Sequence, residues 1–164
     1  MRKPVQTFGT TPPDQKRFSD EEYQRVFSQA VRLCIDFIIY GDGGVLLAQR
    51  TVEPDLGLWA LPGGMIFHGE TFSEAANRIS MREMGLLVYS MDLVGKMEFL
   101  QEGGSWRHSV SLGHKTRLES WRIMASDQAE KYALFDFPEL ISATDVQPVH
   151  REFLVQNWSK INYY

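Results

Sequence analysis

Residues 63–86 constrain this chain more than any other stretch of its sequence. The segment opens with two adjacent glycines, which let a loop fold tightly against a neighbouring element or a ligand. Thr71 and, three residues later, Glu74 form a capping box, which is typical of a helix N-terminus. Gly85 stands where a left-handed C-cap is expected. The segment therefore predicts a glycine loop followed by one helix from Thr71 to Met84.

The spacing inside this segment resembles the Nudix box, whose pattern is G-x5-E-x7-R-E-U-x-E-E-x-G-U, with U an aliphatic residue. The residues on fixed positions of that pattern are Gly64, Glu70, Arg78, Glu83, Gly85 and Leu86. Ile79 and Arg82 replace two of the usual metal-binding glutamates, and Ser80 replaces an aliphatic residue. Because Mg²⁺ takes oxygen ligands, a box helix reduced to Glu83 is expected to bind fewer metal ions.

One Nudix branch has a box altered in a similar way. The run from Arg78 to Leu86 is similar to the R-L-T-M-x-E-L-G-L of the GDP-mannose mannosyl hydrolases, and the likeness extends from Leu33 to Asn157. Members of that branch cleave carbon–oxygen bonds. The resemblance implies a Mg²⁺-dependent (or Mn²⁺-dependent) hydrolase that converts a nucleoside diphosphate sugar to a nucleoside diphosphate and a free sugar, with inversion.

The same resemblance implies roles for residues spread along the chain. The implied metal ligands are the Gly63 carbonyl, Glu83 and Gln128. The implied catalytic residues are Arg50, Arg78 and Tyr132. The implied substrate contacts are Asp36, Arg50 and Tyr132, with Glu70 supporting the loop or the metal-bound water.

Two replacements leave the reaction open. Ala129 stands where the branch has a histidine general base, and Met65 stands where an arginine contacts phosphate. A positioned general base contributes about 10² to 10⁴-fold to a rate, so its loss matters. Asp127, Glu130 and His68 are the remaining candidates for the base. Two alternatives therefore stay open: a Nudix pyrophosphatase that directs attack at phosphorus, and a nucleotide-sugar-binding module without efficient turnover.

Composition agrees with a single domain over residues 1–164. Hydrophobic residues make up 43% of the chain and aromatic residues 12%, which is enough for a core. The net charge is −4 and the basic residues are dispersed, which argues against a nucleic-acid partner. The single cysteine, Cys34, lies in an apolar run and is expected in the core. We expect a cytoplasmic homodimer that binds a nucleotide sugar and no membrane.

The remaining pattern predicts further strands and helices around the box helix. Residues 1–17 are expected to form an extended arm, and Ser19 with Glu22 caps a helix that ends near Gln29. The expected strands are 31–40, 45–49, 87–100, 108–124 with a break near Gly113, and 131–135. The expected later helices are 138–142 and one amphipathic helix over 145–160. These elements predict an α/β/α sandwich around a mixed β-sheet, the Nudix fold, with Trp59 in the core and His114 and His150 on the surface.

Overall fold

The computed structural model describes residues 1–12, 17–100 and 108–162. In that part of the chain, eight strands form one mixed sheet. The strands are β1 (Lys3–Val5), β2 (Arg32–Gly41), β3 (Gly44–Arg50), β4 (Trp59–Ala60), β5 (Gly63–Met65), β6 (Val88–Phe99), β7 (Ser109–Leu118) and β8 (Ala129–Phe135). The helices are α1 (Asp20–Phe27), α2 (Phe72–Met84), α3 (Phe137–Ser142), α4 (Pro148–Gln156) and α5 (Trp158–Ile161).

The sheet has the order β1-β8-β3-β2-β7-β6, with β4 beside β3 and β5 beside β2. Strands β2 and β7 run parallel, and every other described pair is antiparallel. The β2–β3 hairpin turns at Asp42 and Gly43, which both have positive φ, as the Asp-Gly signal predicts. The pairing of β5 with β2 draws the glycine segment into the sheet, where the sequence predicted a loop.

Helices cover both faces of the sheet. Helix α2 packs on one face through Ala75, Ile79 and Met84. The other face is covered by α3, α4 and α5, whose buried side chains include Leu140 and Leu154. The predicted α/β/α sandwich around a mixed sheet is therefore confirmed. Each helix in the described chain is too short or too polar to cross a lipid bilayer.

Local hydrogen bonds fix the ends of α2 where the sequence predicted them. The Thr71 hydroxyl accepts from the Glu74 N–H, and the Glu74 carboxylate accepts from the Thr71 N–H. At the other end, Gly85 adopts φ 68° and ψ 21°, the left-handed C-cap. The predicted capping box of Ser19 and Glu22 on α1 is also confirmed. These ends formed as predicted because each depends only on residues within one helical turn.

The N-terminal arm adds backbone pairing at two places. Strand β1 extends the sheet by pairing with β8. Farther on, the N–H groups of Phe8 and Thr11 donate to the carbonyls of Ile123 and Ala125, and the Ala125 N–H donates to the Gly9 carbonyl. The arm therefore runs beside residues 123–125. Positions 13–16 of the predicted arm lie outside the described residues.

Two predicted elements are wrong in extent. The strand predicted over 108–124 ends at Leu118, and it passes through Gly113 without a break. The Phe153 ring packs on Gly113, 3.0 Å from where a Cβ would lie. The single C-terminal helix predicted over 145–160 is two helices. The first begins only at Pro148 because Gln147 caps it, and the chain leaves helical geometry at Asn157, with φ −108° and ψ 13°.

Burial of three side chains also bears on the predictions. Trp59 is buried against Phe135, with ring centroids 5.3 Å apart, which confirms the core prediction. His114, expected on the surface, is buried because β7 is an interior strand; its ring packs at a tilt against that of Phe72, with centroids 4.8 Å apart. Cys34, expected in the core, is only partly buried on β2. Burial raises the pKa of its thiol to about 12, so the thiol stays protonated at neutral pH.

We predict that Gly85→Ala destabilises the protein more than Gly43→Ala. Both glycines have positive φ, and forcing an alanine into that region costs about 1–2 kcal/mol. A Cβ at Gly43 meets nothing within 4 Å, whereas a Cβ at Gly85 lies 2.5 Å from Sδ of Met124. Chemical denaturation of both variants measures the difference. Equal losses of unfolding free energy would show that Met124 moves aside without cost.

Candidate functional site

A small pocket lies where the C-terminal end of α2 meets β3, β5 and the start of β8. Its volume is about 20 Å³, which is room for one water molecule or a cation of that size. Its lining includes Arg50, Gly63, Glu83, Gln128 and Ala129. The fold thus brings the three residues expected as metal ligands together with Arg50, although they lie far apart in the sequence.

Glu83 is the buried charge of this pocket. It is 5% exposed, and Nε and Nη2 of Arg82 donate to its Oε1 at 3.1 and 2.8 Å. Burial raises the pKa of Glu83, and the adjacent Arg82 guanidinium opposes that shift. The charges of Arg50 and Asp127 also act on it, Arg50 lowering its pKa and Asp127 raising it. Both residues therefore lie close enough to influence a group bound at Glu83.

Tyr132 supports the same end of the helix through its hydroxyl. The phenol donates to the backbone carbonyl of Glu83 and is only 2% exposed. Burial raises the pKa of Tyr132, so the proton that makes this bond is retained. The sequence predicted a contact from the Tyr132 hydroxyl to a phosphate. To make that contact, the hydroxyl would have to give up its hydrogen bond to the Glu83 carbonyl.

Gly63 lets β5 approach β2 more closely than any other residue would. A Cβ at Gly63 would lie 2.0 Å from Oδ1 of Asp36 and 2.4 Å from the carbonyl oxygen of Ile35. Asp36, expected to contact the substrate, thus lies directly behind the pocket wall. It is 7% exposed and faces the ring of His150.

His150 is buried, and its predicted surface position is wrong. Its Nδ1 accepts from the Leu61 N–H at 3.3 Å, so in the neutral ring Nε2 carries the proton and donates to Oδ2 of Asp36 at 3.2 Å. Nothing in the local sequence signals this contact, because α4 packs beneath β2 only in the folded chain. The aspartate therefore has a fixed partner on the side away from the pocket.

Arg78 and Glu70 act on the loop that precedes α2. The Arg78 Nε and Nη2 atoms donate to the two carboxylate oxygens of Glu70 at 2.5 and 2.8 Å, and Nη2 also donates to the Met65 carbonyl at 2.8 Å. The guanidinium lies 4.0 Å from the centroid of the Phe67 ring. Hydrogen bonding to Arg78 holds the pKa of Glu70 below its usual range. The structure thus places this pair away from the lining of the pocket.

Backbone hydrogen bonds fix the loop that carries Gln128. The Thr51 N–H donates to the Gln128 carbonyl, and the Thr51 hydroxyl donates to the Asp127 carbonyl, both at 2.9 Å. The Ser126 hydroxyl accepts from the N–H groups of Gln128 and Ala129. Ala129 therefore lines the pocket from a fixed position and contributes no titratable atom. The other candidate bases, His68, Glu130 and Asp127, are all exposed, and of these three the charge of Asp127 acts on Glu83.

The donor set fits a single hard cation. Across residues 1–12, 17–100 and 108–162, no three histidine, cysteine or acidic side chains cluster closely enough to hold a metal. The pocket is instead lined by one acidic residue, Glu83, together with Gln128 and Gly63, whose side-chain amide and backbone carbonyl are oxygen donors of the kind Mg²⁺ takes. Mg²⁺ is commonly bound by one or two carboxylates, with water and substrate phosphates completing its shell. The residues present therefore fit Mg²⁺ bound jointly with a phosphorylated substrate.

Arg82 is the residue of this site that the sequence prediction underrated. The box pattern marks this position only as the loss of a ligand, whereas the structure places the Arg82 guanidinium on Glu83. The available signal was a basic residue directly before the last box carboxylate.

Comparison with known proteins agrees with this geometry. The model of the NUDIX domain matches residues 30–156. A crystal structure of a MutT NUDIX hydrolase from Burkholderia pseudomallei superposes with a TM-score of 0.69 at 22% identity, covering 78% of this chain and 98% of that one. At that identity the likeness concerns the fold alone.

Two relatives are similar in sequence. The low-salt glycan biosynthesis protein Agl8 of Haloferax volcanii is 28% identical over 127 residues, which cover 74% of this chain and 81% of that protein. An ADP-ribose pyrophosphatase of Methanocaldococcus jannaschii is 31% identical over 108 residues, which cover 66% of this chain and 63% of the relative, less than two thirds of its length.

We predict that Glu83→Gln stabilises the metal-free protein at neutral pH. Because the pKa of Glu83 is raised on folding, ionising it costs folding free energy. That cost is absent below the unfolded pKa, about 4.3, and is complete above the folded pKa. The variant should therefore melt with the parent near pH 4 and above it at pH 7. A lower Tm at pH 7 would show that the pairing with Arg82 outweighs the cost of burial.

Proposed function

The chain belongs to the Nudix hydrolase family, and from that premise we propose that it hydrolyses a nucleoside diphosphate sugar with Mg²⁺ or Mn²⁺ at the Glu83 pocket. The observation that carries the proposal is the convergence of Arg50, Gly63, Glu83 and Gln128 around a space of about 20 Å³. These groups offer oxygen donors to one cation and a guanidinium to an anion. A diphosphate needs both kinds of contact.

The relatives support this class of substrate. One is named for glycan biosynthesis and the other for the hydrolysis of ADP-ribose, which is itself a nucleoside diphosphate linked to a sugar. The first name concerns sugars and the second concerns a sugar joined to a nucleoside diphosphate, so a nucleotide sugar is compatible with both. The nucleobase and the sugar remain to be found by a substrate screen.

Each pocket residue has a separate part in the proposed reaction. Glu83, Gln128 and the Gly63 carbonyl would hold the metal, which when bound neutralises charge on the diphosphate. The Arg50 guanidinium is fixed by donation from Nε to the Pro54 carbonyl at 2.7 Å, and its Nη atoms are the proposed contacts to phosphate. Tyr132 holds the helix end that presents Glu83. Arg78 and Glu70 keep the preceding loop in place.

We place the attack of water at the anomeric carbon, by likeness to the mannosyl hydrolases. A bond forms between the water oxygen and that carbon, the bond from carbon to the diphosphate oxygen breaks, and the diphosphate leaves with the electron pair. The box helix has one carboxylate at a metal position. This arrangement favours one metal ion that binds the leaving diphosphate over several metal ions placed around a phosphorus atom.

Asp127 is the proposed general base. It lies beside Ala129, where the histidine of the mannosyl hydrolases would stand, and its charge acts on Glu83 in the pocket. An exposed carboxylate in this loop would take the proton of a water bound next to the metal.

A pyrophosphatase that attacks phosphorus is the second candidate. It is favoured by the 31% identity to a protein named as an ADP-ribose pyrophosphatase. Ile79 and Arg82 count against it, because they remove two carboxylates that would hold further metal ions. A binding module without turnover is the third reading, and Ala129 is its main support.

Hydrolysis in ¹⁸O-labelled water separates these readings. With Mg²⁺ and GDP-mannose or related sugars joined to the diphosphate through the anomeric carbon, we expect a free sugar and an unlabelled nucleoside diphosphate. ADP-ribose, whose diphosphate is joined to C5 of the terminal ribose, is the probe for attack at phosphorus. Label in a phosphate would assign attack to phosphorus, and tight binding without any product would support the binding module. Glu83→Gln should abolish the metal-dependent rate, because it removes the one charged ligand. A variant that turns over like the parent would move the metal site elsewhere.

The base is tested by a matched pair of substitutions. We expect Asp127→Asn to lower kcat by about 10² to 10⁴-fold with little change in KM, since it removes a proton acceptor. Glu130→Gln is the control, because Glu130 is an exposed carboxylate in the same segment. Equal rates for both variants and the parent would exclude Asp127. Ala129→His would then be expected to raise the rate with a dependence on a group that titrates near pH 6–7, as an imidazole does.

A further inference from the structure

Arg82 occupies a position where the box pattern has a carboxylate, and its guanidinium pairs with the carboxylate that remains. Its side chain is 15% exposed, and both described bonds to Glu83 end on the same oxygen, Oε1. A Cβ at Gly64 would lie 3.2 Å from Nη2 of Arg82. The guanidinium is therefore held between the glycine segment and the end of α2, directly beside the pocket.

A cation held in that place acts on whatever else binds Glu83. The carboxylate is almost fully buried, so its charge interacts with neighbouring charges more strongly than it would in water. A divalent ion at Glu83 must share the carboxylate with Arg82 and is repelled by it. A bound diphosphate changes this balance, because its negative charge attracts both cations.

We propose that Arg82 is a resident counter-cation that holds Glu83 in the free protein and competes with the divalent metal for it. The metal then binds weakly to the free protein and firmly only together with the diphosphate. This inference rests on the proposed function, because it takes Glu83 as the metal ligand. It makes Arg82 a positioning residue of the site, which controls the order in which metal and substrate bind.

A purely structural role for Arg82 makes a different prediction. If the guanidinium only stabilises the end of α2, its removal lowers the Tm and leaves metal affinity unchanged. If it competes with the metal, removal of its charge raises metal affinity whether or not the Tm falls. Metal binding to the substrate-free protein therefore separates the two roles without any measurement of turnover.

The experiment is a titration with Mn²⁺, followed by the electron paramagnetic resonance signal of the free ion, at pH 8 to limit proton competition for Glu83. Arg82→Gln should bind Mn²⁺ at least about tenfold more tightly than the parent, since a neighbouring positive charge is lost. Arg82→Glu should bind it more tightly still, because it adds a second carboxylate. Arg82→Lys keeps the charge and should bind within about threefold of the parent.

Arg25→Gln and Arg25→Glu are the matched controls, because Arg25 is an exposed arginine in the last turn of α1. They make the same changes in net charge, and screening at physiological salt should keep their Mn²⁺ affinity within about twofold of the parent. An affinity of Arg82→Gln equal to or below that of the parent, with Glu83→Gln unable to bind Mn²⁺, would overturn the role of Arg82 and leave the metal site intact. Equal affinity in Glu83→Gln and the parent would instead overturn the metal site of the proposed function.

Discussion

The burial of one acidic side chain, Glu83, governs the arrangement of the residues around it. Glu83 lies in the last turn of α2, where the helix dipole presents its negative end and cannot stabilise an anion. The charge must therefore be offset by groups from elsewhere in the chain. Arg82 supplies the nearest one, Arg50 supplies a second from β3, and Tyr132 fixes the backbone of Glu83 itself.

The two ends of the box helix are stabilised by different kinds of contact. At the N-terminal end, Arg78 joins Glu70 to the Met65 carbonyl at the end of β5, so these contacts lie within a short stretch of the sequence. At the C-terminal end, Glu83 and the pocket depend on β3, β5 and β8. One end therefore maintains its shape largely by itself, whereas the other is completed by strands distant in the sequence.

This division explains which features the sequence could predict. The caps at Thr71, Ser19 and Gly85 depend on neighbours within a turn, so their residues predicted them correctly. The burial of His150 depends on a partner in β2 that no local pattern identifies. The sequence did not predict the end of α4 at Asn157, because the helical spacing of apolar residues continues across that position. The roles of Arg50, Glu83 and Gln128 were implied by likeness to a family. Their proximity is visible only in the folded chain, because they lie far apart in the sequence.

The N-terminal arm has a consequence for the dynamics of the site. Residues 123–125 are bonded on one side to the arm and, through the Met124 N–H, to the carbonyl of Met84 on the other, and they lead directly into the loop of Gln128. The arm itself precedes the segment matched by the family, residues 30–156. Local unfolding of the arm would therefore release amide protection at Ala125 and loosen the segment that joins the end of the box helix to the loop of Gln128. A change in this peripheral segment would thus reach the pocket through backbone hydrogen bonds, with every pocket residue left as it is.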